Sequence, residues 1–285
     1  MVLISVIIPT FRDSSRLEKC LGSINQQSEQ DFNFEVIVSN NDPADKILRE
    51  HNYSFDLKVV SEAMAGSYAA RNKAIIDAKG EYLLFTDSDC IPDKNWLKEA
   101  NRAIQEREEE IIAGKVEVFS YSRSKYGKFE KAFAFPNEEY VRKEGYGVTA
   151  NLLVNSKVIK SIGGFRQGLL TGGDSEFCNR ALQKGFTITY FEGMKVFHPA
   201  RETWNQLKTK AKRFGGKIPK DSNKLLVFIK ILGKYRLRNK DLAAVKSLKN
   251  PLSEKVSFLM IIARIRWVEA TESLRVFLGK QPGRL

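Results

Sequence analysis

The order of apolar and polar positions predicts a chain that begins as strand, helix, strand. An apolar, β-branched run at 3–8 ends at Pro9-Thr10-Phe11-Arg12, which is typical of a strand followed by a turn. The segment 14–27 then repeats apolar residues at helical spacing, and a second β-branched run at 34–39 ends in the polar turn 40–43. The helical positions are Leu17, Cys20, Leu21 and Ile24.

The same patterns continue along the chain as alternating strands and helices. This alternation implies right-handed crossovers and therefore a mainly parallel sheet flanked by helices, an α/β fold. Residues 121–147 are aromatic and charged with weak periodicity, and we expect helix and loop there, covering the strand ends. Further strands are predicted at 57–60, 82–86, 111–119, 148–154, 187–191 and 195–199, and helices at 67–78, 94–107 and 171–182.

The stretch Tyr82 to Cys90 is an apolar run that stops at Asp87-Ser88-Asp89. Ligands of open α/β sheets bind outside the carboxyl ends of the strands, so two carboxylates at this point indicate a binding site. The alternative is a loop of turn-forming residues, because Asp and Ser favour turns through hydrogen bonds to their own backbone.

Length and cysteine content limit the class of protein. The 285 residues allow one large α/β domain or two small ones. Three distant cysteines, Cys20, Cys90 and Cys178, argue against a disulfide framework and a thiolate zinc site, and predict a reducing, cytoplasmic setting. The apolar N-terminus has no basic region before it, so we expect a strand there and no signal peptide. No apolar stretch approaches the roughly 18 residues of a transmembrane helix.

The positive charge is concentrated at the C-terminal end. The net charge is +13, and residues 201–285 hold 21 Lys and Arg against 6 Asp and Glu. Such asymmetry predicts a polyanionic partner, either an anionic membrane or nucleic acid. We therefore predict a domain at 1–203 and a separate basic, amphipathic helical region at 204–285.

Two segments of this basic region have apolar residues at helical spacing among cations. They are 224–238 and 256–278, and we predict that both form helices lying on an anionic lipid surface. The alternative is that both helices pack on the domain at 1–203 with their charges solvated. The apolar positions are Leu225, Phe228, Ile229 and Leu232 in the first segment and Met260, Trp267, Leu274 and Phe277 in the second.

Three carboxylates and one imidazole stand at element ends, namely Asp87, Asp89, Asp174 and His198. A few oxygen ligands suit Mg²⁺ or Mn²⁺, and one imidazole is compatible with Mn²⁺. Asp174 could equally be an ordinary acid in the first turn of a helix, and His198 a structural histidine. Arg71 could bind phosphate with its fork of donors, or form a surface salt bridge.

Six motifs in order resemble the family 2 glycosyltransferases, which have the GT-A fold, a Rossmann-like mixed sheet. The resemblance covers about residues 3–200 and implies that the domain at 1–203 is the catalytic domain. The motifs are Ser5-Val-Ile-Ile-Pro-Thr10, Glu35-Val-Ile-Val38, Ala69-Ala-Arg71-Asn72, Asp87-Ser-Asp89, Gly163-Gly-Phe165 and Gly173-Asp174-Ser-Glu-Phe177.

The resemblance implies a metal-assisted, inverting transfer from a nucleotide-diphospho-sugar, expected to be a UDP-sugar, to a hydroxyl of a glycan or lipid-linked acceptor, as in polysaccharide biosynthesis. It implies that Asp89 and His198 hold the divalent metal, that Asp87 lies against ribose or sugar, and that Asp174 is the general base. Glu176 could orient the base or the acceptor. The other expected donor-binding residues are Pro9, Thr10, Arg12, Asn40, Asp42, Gly66, Arg71 and Ser88.

The chain departs from the family pattern at two places. Asn40 stands where the second strand of the family usually ends in Asp. Either the Asn40 amide oxygen or Asp42 would therefore have to accept the hydrogen bond from the nucleobase N–H. The usual Glu-Asp pair is Gly173-Asp174 here, which leaves one acid for the base.

Two other functions stay open from the residues. A nucleotidyltransferase also uses acidic metal ligands, although residues 9–13 lack its Gly-rich, Lys-containing loop. A nucleic-acid-binding protein would use the basic tail and would show steep salt dependence. We expect instead an enzyme bound peripherally to the cytoplasmic face of a membrane.

Overall fold

The chain forms two compact units in the computed structural model, which describes residues 3–27, 32–45, 47, 53–169, 171–218 and 223–282. Unit 1 comprises Met1–Glu117 and Phe135–Pro199, and unit 2 comprises Val118–Ala134 and Ala200–Leu285. The predicted boundary after residue 203 therefore differs from these units at the segments 118–134 and 200–203. As a boundary between two functions, it stays a prediction.

In the described part of the chain the sheet has eight strands, in the order β3-β2-β1-β4-β7-β6-β8-β5. Strands β3, β2, β1 and β4 are parallel, whereas β7 is antiparallel to both β4 and β6, and β5 to β8. The predicted mixed sheet with a parallel core is confirmed. The strands are β1 Leu3–Thr10, β2 Asn33–Asn40, β3 Asp56–Ser61, β4 Tyr82–Thr86, β5 Ile91–Pro92, β6 Ile111–Phe119, β7 Asn151–Asn155 and β8 Ile188–Pro199. The two late strands predicted at 187–191 and 195–199 are thus one strand.

Alternate residues of each parallel strand enter opposite cores, as the two-residue period of a strand requires. Ile4, Val6 and Ile8 of β1 lie in one core, with Leu17 and Trp96 from the helices on that face. Ile7 lies in the other core, with Phe177 and other helical residues of that face. A sheet buried on both faces is consistent with the continuous apolar runs of the sequence.

Seven helices or short helical segments accompany the sheet in the described part of unit 1. Helix α6, Ser156–Ile162, was missed from the sequence. The others are α1 Ser14–Asn25, α2 Ser67–Asp77, α3 Trp96–Glu106, α5 Asn137–Glu139, a π-helical turn at Tyr140–Glu144 and α7 Gly173–Gln183.

Most of the described part of unit 2 is helical, and the unit has its own core. Phe129, Leu207, Val245, Phe258 and Ile261 are buried together there. No helix among the described residues is both long enough and apolar enough to cross a bilayer. The helices are α4 Lys125–Phe133, α8 Trp204–Gly215, α9 Lys224–Gly233, α10 Asn239–Ser247 and α11 Leu252–Phe277.

Candidate active site

The carboxyl ends of three parallel strands meet at one edge of the sheet. In the register of β1 and β2, Thr10 is paired with Asn40. Strand β4 lies on the other side of β1 and ends at Thr86, one residue before Asp87. The predicted donor residues of the first, second and fourth strands therefore lie along one edge.

A cavity of about 610 Å³ lies beside the turn that follows β2. Its lining includes Arg12 and Asp42, and Arg12 Nε donates to Asp42 Oδ2 at 2.6 Å. This hydrogen bond lowers the pKa of Asp42. The Asn40 amide lies within the turn, where it donates to the Asp45 carbonyl at 2.8 Å and accepts from the Asp42 backbone N–H at 3.0 Å. Of the two residues that could accept a hydrogen bond from the nucleobase of a donor, the geometry favours Asp42.

Asn41, which sequence reasoning missed, ties the end of β2 to the start of α2. Its amide nitrogen donates to the carbonyls of Glu62 and Met64 at 2.9 and 2.7 Å. Its amide oxygen accepts from the Gly66 N–H at 2.7 Å. Gly66 has φ +128°, which favours glycine, and it precedes the first residue of α2. The only sequence signal for Asn41 is its place in a polar turn.

Arg71 of α2 reaches Asp87 and forms an ion pair through Nη2 and Oδ1. The arginine side chain is 3% exposed, so the pair is buried on that side and is not the surface salt bridge considered from the sequence. Thr10 Oγ1 and Arg71 Nε are both buried without a hydrogen-bond partner among the described residues. Buried polar atoms without partners are costly, and a polar ligand at this edge could satisfy them.

Asp89 and His198 lie side by side, with Asp89 Oδ1 3.6 Å from His198 Nε2. His198 Nδ1 is 2.8 Å from the Pro199 carbonyl oxygen, a contact that favours the tautomer with Nε2 unprotonated. Arg16 Nη1 is 3.4 Å from the other Asp89 oxygen. Cys90 Sγ lies within 4.8 Å of the same group, but burial raises the pKa of this thiol well above its ordinary value. Cys90 therefore stays a protonated core residue.

Two non-glycine residues of the described chain have positive φ, and both adjoin this edge. Arg12 has φ +50° and pairs with Asp42. Phe135 has φ +56°, and its ring centroid is 4.5 Å from that of His198. Strained backbone persists where surrounding structure holds it, and it concentrates at functional sites.

Asp174 lies in the first turn of α7, where Oδ1 accepts a hydrogen bond from Thr149 Oγ1 at 2.9 Å. Burial raises the pKa of Asp174, while Arg71 and the Thr149 hydrogen bond oppose that rise, and the charge of Asp87 adds to it. The carboxyl group is thus electrostatically coupled to the Arg71–Asp87 pair. This coupling is more than an ordinary helix cap requires.

Gly173 packs against Tyr68, a residue with no motif to mark it in the sequence. The Gly173 N–H donates to the Tyr68 hydroxyl at 2.9 Å. A Cβ added at Gly173 would lie 2.4 Å from Tyr68 Cζ. Gly173 stands where the family pattern usually has Glu, and a residue without a side chain fits beside the Tyr68 ring.

The Glu176 carboxylate forms ion pairs with two arginines. Its Oε1 lies 2.7 Å from both Arg166 Nε and Arg180 Nε. Arg180 also donates to the carbonyls of Ile162 and Gly164 at 2.5 and 2.7 Å. These contacts favour a role for Glu176 in fixing the 163–165 turn, and its predicted role toward the acceptor stays a prediction.

Sequence comparison identifies the family. The sequence model of Glycosyl transferase family 2 matches residues 5–167, more than half of the chain. The chain belongs to glycosyl transferase family 2. It is 31% identical over 223 residues to glycosyltransferase AglE of Haloferax volcanii, covering 75% of this chain and 73% of AglE.

A second relative comes from Methanococcus voltae. It is the dolichyl N-acetyl-alpha-D-glucosaminyl phosphate 3-beta-D-2,3-diacetamido-2,3-dideoxy-beta-D-glucuronosyltransferase, 25% identical over 206 residues, which cover 66% of this chain and 64% of the relative.

Solved structures agree on the fold. TarS of S. aureus in complex with UDP-GlcNAc superposes with a TM-score of 0.56 at 19% identity, covering 97% of this family 2 chain and 92% of that one. The mannosyltransferase PcManGT of Pyrobaculum calidifontis, in complex with GDP-Man and Mn²⁺, has a TM-score of 0.51 at 17% identity, with coverage of 99% and 76%. The fold is GT-A-like, and the protein is a glycosyltransferase of the EC 2.4 class. Of the reactions considered from the sequence, glycosyl transfer is the one that the family supports.

Proposed function

We propose that the protein is an inverting glycosyltransferase that moves a sugar from a nucleotide-diphospho-sugar to a hydroxyl of a lipid-linked or glycan acceptor. The main support is Asp174, a carboxylate with a raised pKa that Thr149 orients at 2.9 Å and that is coupled to the Arg71–Asp87 pair. A raised pKa makes a carboxylate a stronger base, which suits the removal of a proton from a hydroxyl group.

The donor occupies the carboxyl edge of the parallel strands in this proposal. A nucleoside enters the cavity lined by Arg12 and Asp42, whose volume of about 610 Å³ is in the range of small-molecule sites. The buried Thr10 Oγ1 and Arg71 Nε supply polar atoms that a ligand could satisfy. We propose UDP as the carrier, a choice supported by the UDP-GlcNAc complex of TarS. The proposed donor-binding residues are Pro9, Thr10, Arg12, Asn40, Asp42, Gly66, Arg71, Asp87 and Ser88.

The residues Asp89 and His198 fit a divalent cation. One carboxylate and one imidazole whose Nδ1 faces a carbonyl are a ligand set suited to Mn²⁺, and PcManGT contains Mn²⁺. Bound there, the cation would neutralise negative charge on the diphosphate leaving group.

The chemistry then follows from the residues of the edge. Asp174 accepts the proton of the acceptor hydroxyl, and the acceptor oxygen forms a bond to the anomeric carbon. The bond from that carbon to the diphosphate oxygen breaks on the opposite face, so the configuration inverts. Arg71 holds Asp87 in place against the ribose or sugar, and the buried ion pair limits movement of this carboxylate.

The acceptor and location are proposed from the basic region and from a relative. The M. voltae relative is named for a dolichyl-linked sugar phosphate, which supports a lipid-linked acceptor. An excess of Lys and Arg at 201–285 supports attachment to an anionic membrane, at its cytoplasmic face. In this division of functions, residues 1–203 perform catalysis and residues 204–285 provide attachment.

The test is a transfer assay with purified protein, a set of nucleotide-diphospho-sugars and a dolichyl-phosphate sugar acceptor, read by mass spectrometry. We expect transfer from a UDP-sugar with inversion at the anomeric carbon, read by NMR. Asp174→Asn should lower kcat by about 10²–10⁴-fold, the usual contribution of general base catalysis, and should leave UDP affinity nearly unchanged.

Asp56→Asn is the matched control, since Asp56 is an exposed residue at the start of β3. Unchanged turnover in Asp174→Asn would remove the base assignment. Retention of anomeric configuration would overturn the inverting mechanism, and transfer of a nucleotidyl group instead of a sugar would overturn the reaction class.

A further inference from the structure

Helix α9 has two apolar faces, and only one of them is buried. Val227 and Ile231, one turn apart, are 4% and 0% exposed. Leu225, Ile229 and Leu232 recur at helical spacing on the opposite side and are 64%, 54% and 46% exposed. We call these three residues the outer face of α9.

The outer face has a fixed orientation within unit 2. Phe228 packs against Phe277 of α11 with ring centroids 6.1 Å apart, and Lys234 Nζ donates to Ser273 Oγ at 2.8 Å. Asn223 caps the helix by accepting from the Leu225 N–H at 2.9 Å. An apolar surface presented by a capped and packed helix is preformed, so little ordering is needed when it binds.

Aromatic residues accompany the aliphatic ones. Tyr235, just beyond α9, packs edge-on against Trp267 of α11 with ring centroids 4.9 Å apart. Trp267 is 63% exposed. Tyrosine and tryptophan favour the boundary between apolar and aqueous phases, because each has an apolar ring and a polar group.

The charges around the outer face select the occupant. Residues 224–240 contain six Lys and Arg and no Asp or Glu. A second copy of this chain would bring the same cations together, which like-charge repulsion opposes. Nucleic acid would use the cations but would leave aliphatic side chains such as Ile229 in water. An anionic bilayer satisfies both groups, because aliphatic side chains enter the acyl boundary while cations stay among the headgroups.

We propose that the outer face of α9 inserts into the headgroup region of an anionic lipid bilayer, with Lys224 beside it and Trp267 at the interface. This inference rests on the proposed peripheral location and assigns it to named residues. It is independent of the sugar donor, so lipid binding and sugar transfer are measured separately.

The test is co-sedimentation of the full chain with phosphatidylcholine vesicles, with and without phosphatidylglycerol as the minority lipid, at physiological salt. We expect retention on the anionic vesicles only. The triple variant Leu225→Ser, Ile229→Ser, Leu232→Ser should lower the partition coefficient by about tenfold or more, since three aliphatic side chains lose their insertion. All three positions are exposed, so the fold should persist, and melting temperature verifies this.

A matched pair of single variants locates the effect. Ile229→Ser should weaken vesicle binding, whereas Ile76→Ser should not, although Ile76 is also an exposed isoleucine on a helix, at 76%. Equal effects of the two variants would overturn the proposal, as would undiminished vesicle binding of the triple variant.

Other occupants appear as distinct outcomes. Retention on oligonucleotides but not on anionic vesicles would overturn the proposal in favour of nucleic acid, and a dimer in solution that the triple variant dissociates would overturn it in favour of a second copy. Transfer to a water-soluble acceptor analogue should persist in the triple variant. Vesicle binding by a wild type without transferase activity would overturn the proposed function alone.

Discussion

The backbone N–H of Gly173 donates a hydrogen bond to the Tyr68 hydroxyl at 2.9 Å, across 105 positions of sequence. The contact joins α2, which also contains Arg71, to the first turn of α7, which contains Asp174. The N-terminus of α7 is therefore held at the edge of the sheet by a tyrosine that belongs to no motif.

Tyr68→Phe should test this contact, because it keeps the ring and removes the acceptor. Loss of the partner of a buried N–H costs about 1–3 kcal/mol. We expect the first turn of α7 to shift as a result and Asp174 to be misplaced. We expect kcat to fall about tenfold with the KM for the donor nearly unchanged. Tyr121→Phe, at an exposed position, is the control. A loss of stability with unaltered kcat would contradict the positioning role.

Gly173→Ala should be harmful only while the Tyr68 ring is present. The added Cβ would lie 2.4 Å from Tyr68 Cζ, and such overpacking costs about 1–3 kcal/mol. In the Tyr68→Ala background the space is open, so the second substitution should cost much less. Thermal denaturation of the four proteins of this double-mutant cycle measures the coupling, and additive effects would refute it.

Thr149→Val should move the acid limb of the pH–rate profile to higher pH. The Thr149 hydroxyl stabilises the Asp174 carboxylate and so lowers its pKa, in opposition to burial. Without this hydrogen bond the pKa rises further. The base must be deprotonated, so activity is lost as pH falls through that pKa, and the loss begins earlier in the variant. The kcat–pH profile measures this shift, with Thr209→Val of α8 as the control; an unmoved limb would remove Asp174 as the titrating base.

Asp89→Asn should abolish the metal-dependent part of nucleotide binding. We expect UDP affinity of the wild type to rise with Mn²⁺ and that of the variant to respond at least about tenfold less, the scale seen when metal sites are altered. His198→Ala should also reduce the response to Mn²⁺, because His198 Nε2 faces Asp89 Oδ1. Calorimetry with Mn²⁺ and with chelator gives the comparison, and equal wild-type affinities in both would exclude the metal role.

Glu130→Gln should destabilise unit 2. Glu130 is 2% exposed and lies 2.7 Å from Arg201 and 3.0 Å from Lys210, so the amide would remove a buried negative charge that both cations pair with, at a cost of about 3–5 kcal/mol. Hydrogen exchange of the α4 amides reports this loss within unit 2. Glu254→Gln, which breaks an exposed ion pair with Lys128, is the control and should have little effect.

The same carboxylate gives unit 2 a dependence on pH. Burial alone would raise the pKa of Glu130, but Lys210 and Arg201 together lower it below its ordinary value. A group with a depressed folded-state pKa stabilises the fold above its unfolded pKa, and this contribution is lost as pH falls through the folded value. We expect protection of α4 to fall in acid for the wild type and to be nearly independent of acidification in Glu130→Gln.

The strands that form the carboxyl edge could be predicted from sequence because each has a local signature. Residues 3–8 and 34–39 are apolar runs that end in polar turns, and the structure extends both strands by one or two residues. Asp87 and Asp89 follow a buried strand directly, so their place needed no long-range information. The GT-A-like fold and the family were predicted correctly on these motifs.

The contacts that shape the site could not be predicted, because they join distant segments. Tyr68 meets Gly173, and Thr149 meets Asp174, through packing that no local pattern records. Strand β8 was divided in two because Glu192-Gly193 interrupts its apolar pattern. The strand continues through Gly193, where a Cβ would lie 2.2 Å from Glu99 Oε2.

Unit 2 is assembled from two segments that leave the ribosome far apart in time. Helix α4 is synthesised before β7, α7 and β8, whereas its partner Phe258, 5.9 Å from Phe129 between ring centroids, belongs to α11. At about 5–20 residues per second, synthesis from Phe129 to Phe258 takes about 6–26 seconds, and until then the aromatic residues of α4 lack that partner. Every described strand is therefore synthesised before α11, and we expect chains truncated before α11 to expose the aromatic side chains of α4 and to bind chaperones.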